Sequence, residues 1–140
     1  MNMKNISLFI MLLPGFMVIG AEKPNVNVLN QLNELDKQAQ NDERTYRPRL
    51  SHLSKLLKQK NAYIENPKYK ELEELRIQQY SDLYVRDLAR VYRDTGKLEI
   101  DEEGYRNVRD IKTKEGKTKL AEAMKATYAK VANIIAASEQ

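Results

Sequence analysis

The chain has 140 residues, a length typical of one domain, and contains no cysteine. The absence of cysteine excludes disulfide bridges, thiolate chemistry and cysteine-based zinc or iron–sulfur sites. Charged residues make up 31% of the chain and hydrophobic residues 41%, which favours a thin bundle over a thick layered fold, and the net charge of +4 does not by itself indicate a polyanionic partner.

The first 21 residues have the pattern of a secretory signal peptide. Lys4 supplies the positive start, an apolar run follows, and Gly20-Ala21 provides small residues for cleavage. Pro14-Gly15 interrupts the apolar stretch, which at about 16 residues is shorter than the roughly 20 needed to span a bilayer. We therefore expect cleavage after Ala21 and export to a bacterial periplasm or beyond. A retained membrane anchor is the alternative.

Residues 22–140 are predicted to form one all-α domain, a small bundle of four to five helices. Apolar residues at spacings of three and four predict a first helix over 27–44. Pro48 is expected to end or restart the helix because proline lacks an amide hydrogen. A second helix is predicted over 48–63. The apolar residues of these two helices are Val28, Leu32, Leu35 and Ala39, then Leu50, Leu53, Leu57 and Ile64.

The longest predicted helix covers 67–95. Asn66 is suited to cap its first turn, and Pro67 follows at a position where the missing amide costs nothing. Gly96 is expected to end it in the left-handed conformation. One face is apolar and carries Tyr69, Leu72, Tyr80, Leu83, Tyr84, Leu88 and Val91.

The remaining sequence predicts a connector and up to two further helices. Residues 97–100 form an extended connector, in which Leu98 and Ile100 close the end of the bundle. Asp101 begins a short helix, with the acidic residues after it placed for the helix dipole. The last helix is predicted over 117–137, with a continuous apolar seam. That seam consists of Leu120, Ala123, Met124, Thr127, Tyr128, Val131, Ile134 and Ile135.

Catalytic residues are not evident in the sequence. His52 is the only histidine, the five glycines are isolated, and no pair of carboxylates is marked as buried. We therefore expect no catalytic site, no cofactor and no metal. A small all-helical enzyme is the third hypothesis for the function, after two kinds of binding protein.

Tyrosine and arginine residues on the longest helix form the first candidate binding site. Tyrosine is the only aromatic residue after the predicted signal peptide, and tyrosine and arginine are enriched at binding hot spots. The alternative is that these rings form the edge of the core. The candidate partner-binding residues are Tyr80, Tyr84, Arg86, Arg90, Tyr92 and Arg93.

Two basic stretches form the second candidate binding site. Clustered cations create a positive potential that attracts membrane surfaces, polysaccharide or nucleic acid. The alternative is that they are solvated helix faces. The candidate residues are Arg47, Arg49, Lys55 and Lys58 in the first stretch, and Arg109, Lys112, Lys114 and Lys117 in the second.

The sequence thus predicts an exported, non-enzymatic binding or adaptor protein of the bacterial envelope, accessory to secretion, conjugation or envelope assembly. The expected partner is another envelope or secreted protein, with self-association as a further form of contact. Nucleic acid is not expected, because an exported protein rarely meets it, and membrane contact is expected only through the signal peptide. A binder of anionic ligands is the alternative.

Overall fold

A computed structural model describes residues 24–59, 64–99, 105 and 108–138. These ranges contain three α-helices and no strand, with α1 at Val26–Gln59, α2 at Pro67–Thr95 and α3 at Lys114–Ser138. The predicted all-α class is confirmed. None of the three helices combines the length and apolar character needed to cross a membrane. The predicted signal peptide, residues 1–21, lies outside the described residues.

Helix α1 continues through Pro48, so the predicted division into helices over 27–44 and 48–63 is wrong. Contacts just before and just after the proline hold α1 against α2. The Tyr46 hydroxyl donates to Asp82 Oδ2 at 2.6 Å, and Arg49 binds both Glu71 oxygens at 2.7 and 2.8 Å. These tertiary contacts offset the local cost of the proline.

Both ends of α2 are the predicted ones. Asn66 has extended backbone and its side chain accepts from the Lys68 amide at 2.9 Å, with Pro67 in the first turn. Gly96 has φ 75° and ψ 11°, and its amide donates to the Tyr92 carbonyl at 2.7 Å. A side chain at this left-handed position would be strained, so glycine sets the end of the helix.

Helices α1 and α2 are antiparallel, and α3 is parallel to α2. The Asn25 amide donates to the Tyr92 hydroxyl at 3.2 Å, so the start of α1 lies beside the end of α2. The described residues between α2 and α3, which are 97–99, 105 and 108–113, are called the return segment. Near its end Asp110 accepts from Tyr80, and the Lys112 amide donates to Glu73, so this part lies beside the first half of α2. Helix α3 therefore starts beside the first half of α2 and runs parallel to it. Helix α2 packs against both other helices.

Two hydrophobic clusters lie between the helices. The main one joins all three helices and the return segment, and its buried members are Val28, Leu32, Ile77, Tyr84, Leu88, Ala89, Tyr92, Leu98, Ile111, Leu120, Met124 and Val131. The second lies between α1 and α2 near their connection and contains Leu50, Leu53, Leu57, Tyr69 and Leu72. We call it the hairpin cluster.

Three expectations for the connecting segments have different outcomes. Leu98 is buried in the main cluster, as predicted, whereas Ile100 lies outside the described residues. Most of the short helix expected from Asp101 is also outside them. Ile64 was predicted to line the core, but it lies in the turn before α2 and its side chain is 51% exposed, so that prediction is wrong.

Candidate binding surfaces

Two of the predicted partner-binding tyrosines are core residues. Tyr84 has no exposed surface and Tyr92 is 4% exposed. The Tyr84 ring packs against that of Tyr105 with centroids 4.9 Å apart, and the Tyr92 hydroxyl accepts from the Asn25 amide. Direct contact with a partner requires exposed surface. The prediction is therefore corrected for Tyr84 and Tyr92, which are core residues.

Tyr80 fastens the return segment to α2. Its hydroxyl donates to Asp110 Oδ2 at 3.0 Å, while Arg76 donates to the Asp110 carbonyl at 3.1 Å. Burial and the hydrogen bond to the Asp110 carboxylate raise the pKa of Tyr80 to about 12. The hydroxyl therefore stays protonated at neutral pH and acts as a donor to Asp110.

The three predicted arginines lie on the outer side of α2 and remain accessible. Arg86 pairs with Asp36 of α1 at 3.2 Å, and Arg90 pairs with Asp87 at 3.3 Å. Arg93 donates to Asn33 at 3.2 Å. All three are exposed. A guanidinium has five N–H donors in a fixed fork, so these contacts orient each arginine and leave donors for a partner.

Leu83 lies among these arginines. It was predicted to belong to the apolar face of α2, but its side chain is 37% exposed. The other large hydrophobic residues exposed in the described ranges, Val26 and Ile64, lie at a helix start and in a turn. Residues three and four apart share a helix face, which gives one outward stripe along α2. This stripe, the outer α2 stripe, consists of Gln79, Leu83, Arg86, Arg90 and Arg93.

Of the eight candidate residues in the basic stretches, two form ion pairs and six form none within the described residues. Arg47 pairs with Glu43, and Arg49 with Glu71. The Arg49 hydrogen bonds hold the pKa of Glu71 below its usual value. By contrast, the remaining candidates are exposed and form no ion pair within the described residues. They are Lys55, Lys58, Arg109, Lys112, Lys114 and Lys117.

The two basic stretches lie at the same end of the bundle. Lys55 and Lys58 belong to the last part of α1, which packs on the start of α2. Lys112, Lys114 and Lys117 surround the start of α3, which is fixed to α2 by Glu73. Five lysines from distant parts of the sequence therefore share what we call the basic end.

Glu73 forms a buried link that sequence reasoning missed. Its carboxylate is 5% exposed and accepts from the amides of Lys112 at 3.0 Å and Thr113 at 3.3 Å, as well as from the Thr113 hydroxyl. The Thr113 hydroxyl also accepts from the Gly116 amide at 2.9 Å. The negative charge thus lies at the positive end of the α3 dipole. The only signal in the sequence was Thr113, which is suited to cap α3.

Asp82 is a second buried carboxyl group, between α2 and α1. It accepts from the Tyr46 hydroxyl at 2.6 Å and from Gln78 Nε2 at 3.1 Å. Burial raises the pKa of Asp82, and the two hydrogen bonds lower it by less. Burial and the bond to Asp82 also raise the pKa of Tyr46. Because Tyr46 lies on α1 and Asp82 on α2, we assign the pair to packing between the two helices.

The described residues contain no group of three or more His, Asp or Glu side chains arranged to hold a metal ion. His52 is exposed on α1. Comparison with protein-family models, curated proteins and solved structures gave no match. The fold and the surfaces thus define an all-α protein, and in its described part the predicted arginines and lysines, together with Leu83, remain accessible.

Proposed function

We propose that the protein is an exported, non-enzymatic adaptor that binds another envelope or secreted protein through the outer α2 stripe. The observation that carries this proposal is the exposure of Leu83 in the middle of a helix, with arginines on the same face. Export is carried by the signal-peptide pattern of residues 1–21. The domain after it, residues 22–140, supplies the binding surface.

The chemistry of the stripe indicates an acidic partner segment with an apolar residue. Leu83 provides an apolar contact that loses water on binding. Arg86 and Arg90, each oriented by one carboxylate, have further N–H donors for carboxylates of the partner. Because an oriented side chain loses little entropy on binding, the existing ion pairs favour recognition. The partner is therefore expected to present Asp or Glu beside an exposed apolar side chain.

Site-specific crosslinking in cells tests this proposal. A photo-reactive amino acid is placed at Gln79 of the exported full chain, and at Lys130 on the exposed side of α3 as the matched control. We expect one protein to be captured from position 79 and not from position 130. Leu83→Asp combined with Arg90→Glu should abolish that capture while circular dichroism shows unchanged helicity. Equal capture from both positions, or full capture by the double variant, would contradict the proposal.

A second candidate function is the binding of anionic ligands by the basic end. The observation that favours it is that five exposed lysines from two stretches share one end of the bundle without ion pairs among the described residues. Cations in this arrangement attract a polyanion and release its counterions, so the affinity falls with salt. The ligand classes are anionic membrane surface, polysaccharide and nucleic acid.

Binding to heparin and to phosphatidylglycerol vesicles measures this second function. We expect binding that weakens steeply with rising salt and is lost in Lys112→Glu combined with Lys114→Glu. Lys125→Glu combined with Lys130→Glu, two exposed sites along α3, changes the net charge equally and should bind better than the first pair. Equal loss in both pairs would show a response to net charge alone and would reject the basic end as a site.

A further inference from the structure

A small pocket lies between the start of α2, the start of α3 and the turn before α2. Its volume is about 190 Å³. Ile64, Tyr69 and Ile77 form its apolar part. Tyr69 and Ile77 are buried, while Ile64 is half exposed. The volume is below the roughly 300–1,000 Å³ of pockets that hold drug-sized ligands, so it fits a smaller molecule.

Charges of alternating sign line the same pocket. Glu115 pairs with Lys70 at 3.9 Å and with Lys119 at 3.1 Å, and Lys119 also approaches Glu74 at 3.8 Å. These four side chains are 42 to 67% exposed. The hydrogen bond to Lys119 lowers the pKa of Glu115, so both groups are charged at neutral pH. Exposed pairs of this kind contribute little to stability, so a ligand displaces them at small cost.

Two buried groups help to define what the pocket recognises. Both oxygens of Glu73 are occupied by the start of α3, so this carboxylate is not available to a ligand. The Tyr69 hydroxyl is also buried, and burial and the neighbouring Glu73 carboxylate raise its pKa, so the hydroxyl stays neutral and the ring forms part of the apolar wall. Tyr69 as a whole is 6% exposed.

We propose that this pocket binds a small zwitterion with an apolar side chain, of the chemical class of an apolar α-amino acid. Its ammonium group is bound by Glu74 and Glu115, and its carboxylate by Lys70 and Lys119. Its side chain lies against Ile64, Tyr69 and Ile77. This site is independent of the outer α2 stripe, because the residues that line it share none with that stripe.

Nuclear magnetic resonance titration of the isotope-labelled full chain tests the proposal. The probe is L-leucine, and N-acetyl-leucine, leucinamide and glycine each lack one of the three features that the pocket recognises. We expect leucine to cause saturable shifts at the amides of Tyr69, Gly116 and Lys119. Each of the other three compounds should bind at least about tenfold more weakly. Equal binding of leucine and N-acetyl-leucine would overturn recognition of a zwitterion.

Two substitutions make the titration specific to the site. Lys119→Gln removes from the pocket one of the two cations that bind the ligand's carboxylate. Lys130→Gln makes the same change on an exposed part of the same helix. We expect leucine binding to weaken at least about tenfold in the first variant and to stay unchanged in the second. The absence of saturable shifts with leucine, isoleucine, methionine and phenylalanine at millimolar concentration would overturn the proposal, as would equal binding by both variants.

Discussion

Glu73 caps the start of α3 from a different helix. The first amides of a helix have no partner within the helix, and a side chain near its start commonly supplies one. Here Thr113 takes that role for Gly116, and Glu73 adds acceptors for the amides of Lys112 and Thr113. Gly116 is buried against this carboxylate, and a Cβ atom built on it would overlap both Glu73 and Thr113. Glycine is therefore required at position 116 because the Glu73 carboxylate and the Thr113 hydroxyl lie too close to the backbone for a Cβ atom to fit.

Gly116→Ala should destabilise the protein despite the helix preference of alanine. The gain from helix propensity is about 1 kcal/mol, whereas displacing a buried, hydrogen-bonded carboxylate costs about 1–3 kcal/mol. Urea unfolding of both proteins measures the difference. In a Glu73→Ala background the overlap with the carboxylate is absent and only the close contact with the Thr113 hydroxyl remains, so adding Gly116→Ala should there cost clearly less stability. A loss of equal size in both backgrounds would contradict the role given to Glu73.

Asp82→Asn should change how stability depends on pH. Burial raises the pKa of Asp82, so the folded state holds the proton more tightly than the unfolded state does. The stability from this group is complete below the unfolded pKa and is lost as pH rises through the folded pKa. The variant should therefore gain stability relative to the natural protein as pH increases from acidic to neutral.

Urea unfolding at a series of pH values measures this effect. Asp94→Asn is the control, since Asp94 is an exposed carboxylate at the end of the same helix. Asp82→Asn keeps an acceptor for the Tyr46 hydroxyl but replaces the oxygen that faces Gln78 by an amide nitrogen, and that change shifts stability by the same amount at every pH. A stability difference at position 82 that stays constant with pH, or that falls as pH rises, would contradict the prediction.

At the level of elements, local signals determine where α2 begins and ends, whereas tertiary contacts determine that α1 continues through Pro48. Asn66, Pro67 and Gly96 each act through the backbone next to them, so both ends of α2 follow from the sequence. Pro48 is an equally strong local signal, yet α1 passes through it because of contacts on either side with residues of α2. Those partners lie far along the chain and have no local signature.

For the candidate sites, too, the local pattern was predictable from the sequence and the tertiary packing was not. The periodicity that placed Tyr84 on the apolar face of α2 was correct, but whether such a face is core or surface depends on what packs against it. Leu83 is next to Tyr84 and was assigned to the same face, and it is exposed. The pocket depends on Ile64, Tyr69 and Gly116, whose proximity requires the course of the whole chain.

Pro48→Ala should stabilise α1. The proline is exposed, so its removal loses no buried contact, and a proline inside a helix costs up to about 3 kcal/mol. We expect the free energy of unfolding to rise by about 1–3 kcal/mol, measured with urea. Ser51→Ala, at an exposed site of the same helix, controls for the effect of alanine. Lower stability of the Pro48 variant would mean that the contacts of Tyr46 and Arg49 require a proline bend.

The whole molecule is unevenly stabilised. The main cluster takes residues from three helices and the return segment, whereas the hairpin cluster takes them from α1 and α2 alone. Regions with fewer buried contacts open at lower free energy. The basic end and the pocket both lie next to the hairpin cluster, so the candidate ligand sites are on the less stable part of the described structure.

Native-state hydrogen exchange should show this difference. Amides at 53–57, within the hairpin cluster, are expected to exchange faster than amides at 88–92, within the main cluster. Both ranges lie inside long helices, so the intrinsic helical hydrogen bonding is matched. Equal protection of the two ranges would show that the helices open as one cooperative unit. Addition of L-leucine should slow exchange near Tyr69 if the pocket is occupied.

The parallel arrangement of α2 and α3 also has a consequence for the order in which the chain folds. Arg49 and Glu71, which join α1 to α2, are 22 residues apart, whereas Glu73 and Thr113 are 40 apart. Closing the longer loop costs more chain entropy, so we expect the α1–α2 hairpin to form first and α3 to dock last. Until α3 arrives, Ile77 and Leu88 lack their cover from Leu120 and Met124. We therefore expect the half-assembled hairpin to be the species most exposed to aggregation and to capture by chaperones.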